Sequence, residues 1–147
     1  MSDEHPVVIV TGAGAGIGKA CAVRFAKEGA CVVVVDRSEA DGRATVDLLT
    51  SRGGKAFFCH ADVSVEEECV GFARAAVEAF GRIDVLVGNA GIRIPGTLLE
   101  VTAQDWDRIL GVNLKGVAFS CKAVLPQMKS PLPEPADTRP YPWDPAF

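Results

Sequence analysis

Short apolar runs and longer stretches of helical period take turns along this chain. Val7–Val10 is a compact β-branched run, followed by the glycine-rich segment Gly12–Gly18. Ile17, Cys21 and Phe25 then recur every four residues with Ala20 beside them, the spacing of one helix face, and Gly29 stops that helix as a C-terminal cap does. Cys31–Val35 is an unbroken apolar run ending at Asp36, the pattern of a strand buried on both faces. Ser38 can cap the next helix, whose Val46, Leu48 and Leu49 lead to the breaker Gly53-Gly54. Ala56–Ala61 reads as a third strand, ending at Asp62. Ser64, with Glu67 three residues later, reads as a capping box for a helix through Phe80 that Gly81 closes. Ile83–Val87 is a fourth strand, and Thr102 with Asp105 opens a long helix through about Leu125. Four alternations of strand and helix demand parallel strands joined by helices, so the expected class is α/β with a doubly wound parallel sheet.

The alternation stops near Lys129. Six of the nine prolines fall from Pro131 to Pro145, and proline continues neither a helix nor a central strand. A single domain over residues 1–129 is therefore expected, with a disordered proline-rich tail over 130–147.

Composition narrows the class. The chain has 147 residues, 48% hydrophobic and 23% charged, which fits one soluble globular domain. Its 15 basic and 19 acidic side chains leave a net charge of −4, against a nucleic-acid footprint and against a polybasic membrane patch. The apolar runs are too short for a bilayer span, and the acidic start Met1-Ser2-Asp3-Glu4 lacks the order of a signal peptide. Five scattered cysteines, with no metal-like spacing, point to the reducing cytoplasm and to no metal site.

Chemistry concentrates where strands end. Thr11-Gly12-Ala13-Gly14-Ala15-Gly16-Ile17-Gly18 joins a strand to a helix, and glycines there let the backbone approach a pyrophosphate held at a helix N-terminus. The spacing is TGxxxGxG. It is not GxGxxG, because Ile17 or Lys19 falls where the third glycine belongs, and it is not a phosphate-binding Walker loop, because Ala20 follows Gly18-Lys19.

With these motifs the chain resembles the short-chain dehydrogenase/reductase family. Thr11, Gly12, Gly16 and Gly18 match that family's cofactor loop. Asp62-Val63 stands where the family contacts adenine. Gly88-Asn89-Ala90-Gly91 is similar to its Asn-Asn-Ala-Gly, and Val112-Asn113-Leu114-Lys115-Gly116 to its helix motif. The resemblance runs from about Val7 to Met128. It implies a Rossmann-type fold, a dinucleotide in contact with Gly12, Gly14, Gly16, Ile17, Gly18, Asp36, Arg37, Asp62, Val63, Asn89, Ala90 and Gly91, and a catalytic part for Asn113.

Each residue also has a plainer reading. Asp36 either accepts from both adenosine ribose hydroxyls, which favours NAD over NADP, or ends a strand with a turn; Arg37 beside it can pair a 2′-phosphate. Asp62 competes with Ser64 as a helix cap. Asn89 can satisfy backbone groups at a strand end, and Asn113 alone reads as a structural amide. Gly88 removes a side-chain amide that the family carries.

The family's reaction half uses a Ser and a Tyr with Lys four residues on, because a phenol with pKa near ~10 needs a nearby cation to act as a base. The single tyrosine here is Tyr141, and Pro145 is four residues on. The expected reading is thus the cofactor half of an alcohol- or carbonyl-directed NAD oxidoreductase, holding cofactor without turnover. Two alternatives stand beside it: activity restored by another chain in a homo- or hetero-oligomer, or a truncated product without function. The long helix commonly enters the family's dimer interface.

Overall fold

The computed structural model describes residues 5–128. The proline-rich tail, with Tyr141, lies outside them. Four parallel strands, β1 (Val7–Thr11), β2 (Cys31–Asp36), β3 (Lys55–His60) and β4 (Val85–Val87), form one sheet in the order β3-β2-β1-β4. Helix α1 (Gly16–Lys27) links β1 to β2, α2 (Glu39–Thr50) links β2 to β3, and α3 (Glu66–Phe80) links β3 to β4.

Alternate residues of the central strands feed two separate cores. Val8, Val10, Val32 and Val34 pack with Ala22 of α1 and Leu49 of α2. Ile9, Val33 and Val35 pack with Cys69, Phe72, Ala73 and Ala76 of α3 and with Val124. Both faces are covered, so no polar alternation survives in Cys31–Val35, and Val32–Val35 are fully buried. The chain leaves β1 toward β2 on one side, while β4 pairs β1 on the other. The strand order therefore reverses at β1, and a crevice opens beyond its C-terminal end.

Several boundaries differ from the sequence expectation. The third strand is Lys55–His60 rather than Ala56–Ala61. The fourth is Val85–Val87; Ile83 stays buried, but outside the strand, and makes a lone parallel bridge to Met128. The Asp84 carboxylate accepts the Val7 N–H at 2.8 Å, so a side chain takes a donor where the β1–β4 ladder begins. The long helix is three pieces: α4 (Ala103–Leu110), a π-helical turn (Gly111–Lys115) and α5 (Gly116–Val124), followed by a 3-10 turn at Leu125–Gln127.

Ser64 and Glu67 form no capping box. The N-cap of α3 is Val65, with no side-chain bond, and three glutamates (Glu66, Glu67 and Glu68) stand in the first turn, where negative charge complements the helix dipole. The Ser64 hydroxyl is spent on Asp62 instead, at 2.7 Å. Thr102 and Asp105 do form the expected box, and Ser38 accepts from the Asp41 N–H. Ile17, which keeps the helical spacing of Cys21 and Phe25, is 76% exposed; the buried residues of that helix are Gly18 and Ala22.

The continuous helical stretch Ala103–Gln127, with mean hydropathy 1.3 in its most apolar window, is long and apolar enough by composition to cross a membrane. Asp105, Asp107 and Arg108 fall at its start, and α5 buries Gly116, Ser120 and Val124 in the domain.

Candidate functional site

The crevice beyond β1 is a cleft of about 430 Å³. Gly12, Ala15, Gly16 and Ile17 line it from the glycine loop, and Val35, Asp36 and Arg37 from the end of β2. Ala61, Asp62 and Val63 line it from the end of β3, and Asn89, Ala90, Gly91, Ile92 and Val112 from the β4 side. Gly14 and Gly18 do not line it; they stand behind the loop. Asn113 does not line it either.

The loop is pinned by contacts only glycine permits. A Cβ at Gly18 would run into the Gly12 carbonyl and the Asn89 amide. A Cβ at Gly14 would stand 2.8 Å from the Asp41 side chain and 2.9 Å from Asp36 Oδ2. Gly16, at φ +55°, faces open space. The first turn of α1 above it has no side-chain cap and no acidic residue, unlike those of α2 and α4, which are capped by Ser38 and Thr102. Its backbone N–H groups are thus left for an external anion.

Asp36 Oδ2 accepts the Gly14 N–H at 2.8 Å, and Oδ1 accepts the Ser38 N–H at 2.8 Å. The strand-end turn and the cleft position are both real in this residue. Each oxygen keeps accepting capacity. Arg37 is exposed and close enough to Asp62 to favour its ionised form.

Asp62 Oδ1 accepts from the Ser64 N–H at 2.9 Å and from its hydroxyl. The Ser64 hydroxyl bond is the main reason its carboxyl is held below the usual aspartate range, with Arg37 and His60 adding smaller pulls. Glu68 Oε2 accepts the Asp62 N–H at 2.6 Å. Helix α5 presses on this segment: a Cβ at Gly116 would stand 2.6 Å from a Val63 methyl.

Thr11 and Asn89 join the two walls. The Thr11 hydroxyl accepts the N–H groups of Asn89 at 3.0 Å and Ala90 at 3.1 Å, and donates to the Val87 carbonyl at 3.3 Å. The Asn89 amide donates to the carbonyls of Thr11 at 3.0 Å and Gly12 at 3.2 Å. Gly88 faces Val117, whose nearer methyl would touch a Cβ at 3.5 Å. Asn113, in the π-turn, clasps one residue of the cleft rim: its Oδ1 accepts the Ile92 N–H at 2.8 Å and its Nδ2 donates to the Ile92 carbonyl at 3.0 Å.

Sequence reasoning missed Ala15, Val35, Ala61 and Val112 in the lining; each adjoins a motif residue, which was the available signal. Among the described residues no group of His, Cys, Asp and Glu is arranged to hold a metal.

Three comparisons agree with this geometry. The sequence profile described as short chain dehydrogenase matches residues 6–133. The chain is 44% identical over 129 residues to an uncharacterized oxidoreductase of Thermotoga maritima, covering 88% of this chain and 51% of that protein. It is 50% identical over 113 residues to the short-chain reductase protein NovJ of Streptomyces niveus, covering 77% of this chain and 43% of that one. A short chain dehydrogenase/reductase of Burkholderia phymatum, crystallised in complex with NAD, superposes with a TM-score of 0.82 at 37% identity, covering 87% of this chain and 46% of its own. The chain thus spans about half the length of the curated relatives it matches. With its four parallel strands, its glycine loop at the point where the strand order reverses and its matched profile, the chain belongs to the short-chain dehydrogenase/reductase family.

Proposed function

We propose that this chain binds NAD, in preference to NADP, in the cleft beyond β1, and that alone it holds the cofactor without turning over an alcohol or carbonyl. The observation that carries the reading is the Asp36 carboxylate in the cleft wall, behind a glycine loop that no side chain blocks. The fit is good on the residues themselves. The uncapped first turn of α1 offers N–H groups to a pyrophosphate, and Gly16 leaves room for it. Asp36 has lone pairs left for two ribose hydroxyls and repels a 2′-phosphate. Ala61 and Val63 line the cleft where a base would lie, and Asp62 Oδ2, which accepts no bond among the described residues, offers an acceptor to its amino group.

When bound, the nicotinamide would supply hydride chemistry. The chain's own part is to orient: Thr11 and Asn89 hold the loop to the end of β4, and Asn113 holds the rim at Ile92. A proton must also move at the substrate oxygen. The one tyrosine, Tyr141, has Pro145 where a pKa-lowering lysine would stand. All five cysteines are free, which accords with a cytoplasmic setting, and the exposed apolar side of α4 and α5 with an oligomer.

Thermal melts with NADH and NADPH test this. NADH at about 100 times its Kd adds ~2.7 kcal/mol to the folded state, a visible upward shift. Asp36→Ala should weaken NADH roughly tenfold, ~1.4 kcal/mol, and improve NADPH relative to it. Unchanged affinities for both would overturn the assignment of Asp36, and turnover by the chain alone would overturn the second half of the reading.

A further inference from the structure

A second cavity, of about 360 Å³, opens between the C-terminal ends of α1 and α2, at the far end of α1 from the glycine loop. Its lining shares no residue with the cleft. Val23 and Ala26 of α1 and the buried Leu49 of α2 give it an apolar floor, and Lys27 and Arg52 add two cations. Gly53 and Gly54 complete it without side chains; a Cβ at Gly54 would stand 2.9 Å from the Leu49 carbonyl and 3.5 Å from Ala26.

The two cations beside this floor stand without an ion-pair partner among the described residues. Lys27 and Arg52 are both exposed and make no side-chain hydrogen bond among those residues. Glu28, the acid beside Lys27 in the chain, is taken by Arg24 at 2.7 Å. Helix C-termini repel anions through open carbonyls, but several of these are closed by the chain itself. The Phe25 and Ala26 carbonyls accept from Ala30 and Gly29, the Leu49 carbonyl from Arg52 and Gly54, and the Thr50 carbonyl from Gly53.

We propose that this cavity binds a carboxylate carrying an apolar tail, of the medium-chain fatty acid class. The carboxylate pairs with Lys27 and Arg52 while the tail lies over the half-buried Val23 and Ala26. A bare anion would leave the apolar floor wet, and an uncharged apolar molecule would desolvate the cations with nothing in return. The volume falls in the range of about 300–1,000 Å³ common for small-molecule pockets.

The test is an amide NMR titration of the full chain with decanoate, held below its micelle-forming concentration, beside its uncharged methyl ester. Saturable shifts centred on Ala26, Leu49, Gly53 and Gly54 are expected, with no saturable response to the ester. Lys27→Gln combined with Arg52→Gln should weaken decanoate at least tenfold, and Ala26→Leu, which fills the floor while keeping both cations, should abolish binding. Native-like amide dispersion in either variant keeps that comparison valid. Absence of saturable shifts, equal binding by the ester, unchanged affinity in both variants, or shifts confined to α4 and α5 would overturn the proposal.

Discussion

Strands β1 and β2 and the rib made of α4, the π-turn and α5 are both rich in large apolar residues, and the protein treats them in opposite ways. Val7–Val10 and Val32–Val35 are at most 1% exposed, because helices lie on both faces of the sheet. On the rib, Trp106 is 46% exposed, Leu110 43% and Leu114 63%. Helix α4 buries no residue at all among the described residues. Fully burying a Val or Leu side chain contributes about 1.5–3 kcal/mol, which the rib's outer side forgoes. What holds α4 in shape is local: the Thr102 hydroxyl and the Asp105 carboxylate satisfy each other's backbone donors. An apolar period thus identifies a face that seeks cover, without saying whether the same chain covers it.

The largest test presses on the covered side. Gly18→Ala forces a methyl into the Gly12 carbonyl and the Asn89 amide, and an overpacked site of this kind costs about 1–3 kcal/mol. Urea unfolding should show that loss, together with weaker NADH binding. A change within about 0.5 kcal/mol, the range of neutral surface substitutions, would mean that the loop is not pinned as described. Thr102→Ala should cost about 1 kcal/mol by removing the cap that stands in for burial on the rib. A negligible effect in the same unfolding experiment would show that α4 is held by something besides its cap.

A smaller effect sits at the Asp62 turn. Its carboxyl titrates lower in the folded chain than in the unfolded one, so its bonds add stability above the unfolded pKa, and that addition disappears as pH falls through the folded pKa. Ser64→Ala removes the main cause. The variant should be less stable than the parent at neutral pH and approach it in acid, and a carboxyl NMR titration should show Asp62 moving up toward the ordinary range. A gap that persists unchanged in acid would assign the effect to packing. Smallest of all, Leu114→Lys should leave stability within about 0.5 kcal/mol, with less self-association in sedimentation. A large destabilisation would mean that the rib is covered after all.

The class of fold was legible because a parallel sheet buried on both faces leaves unbroken apolar runs, and Cys31–Val35 is such a run. The cleft was legible because chemistry gathers where these runs stop, at Gly12, Asp36, Asp62 and Asn89. Finer points turned on competition between neighbours. The Ser64 hydroxyl had two partners within reach, the N–H donors of the helix start and the Asp62 carboxylate, and nothing in the spacing says which wins. Ile17 keeps the helical spacing of Cys21 and Phe25, yet it sits in the first turn, ahead of the point where α1 meets the sheet, so it faces the cleft. The two-fold contact of Asn113 with Ile92 spans 21 positions and has no local signature.

The π-turn at Gly111–Lys115 has a consequence for bearing rather than for contact. Successive residues of an α-helix advance by roughly 100° about its axis, and a π-turn takes in about one residue more before it closes. The stripe of α4 that carries Trp106 and Leu110 is therefore out of phase with the stripe of α5 that carries Ser120 and Val124. The rib is a single rod in length and two rods in azimuth. That offset lets Asn113 turn to Ile92 while Gly116, three positions later, still lies flat on Val63.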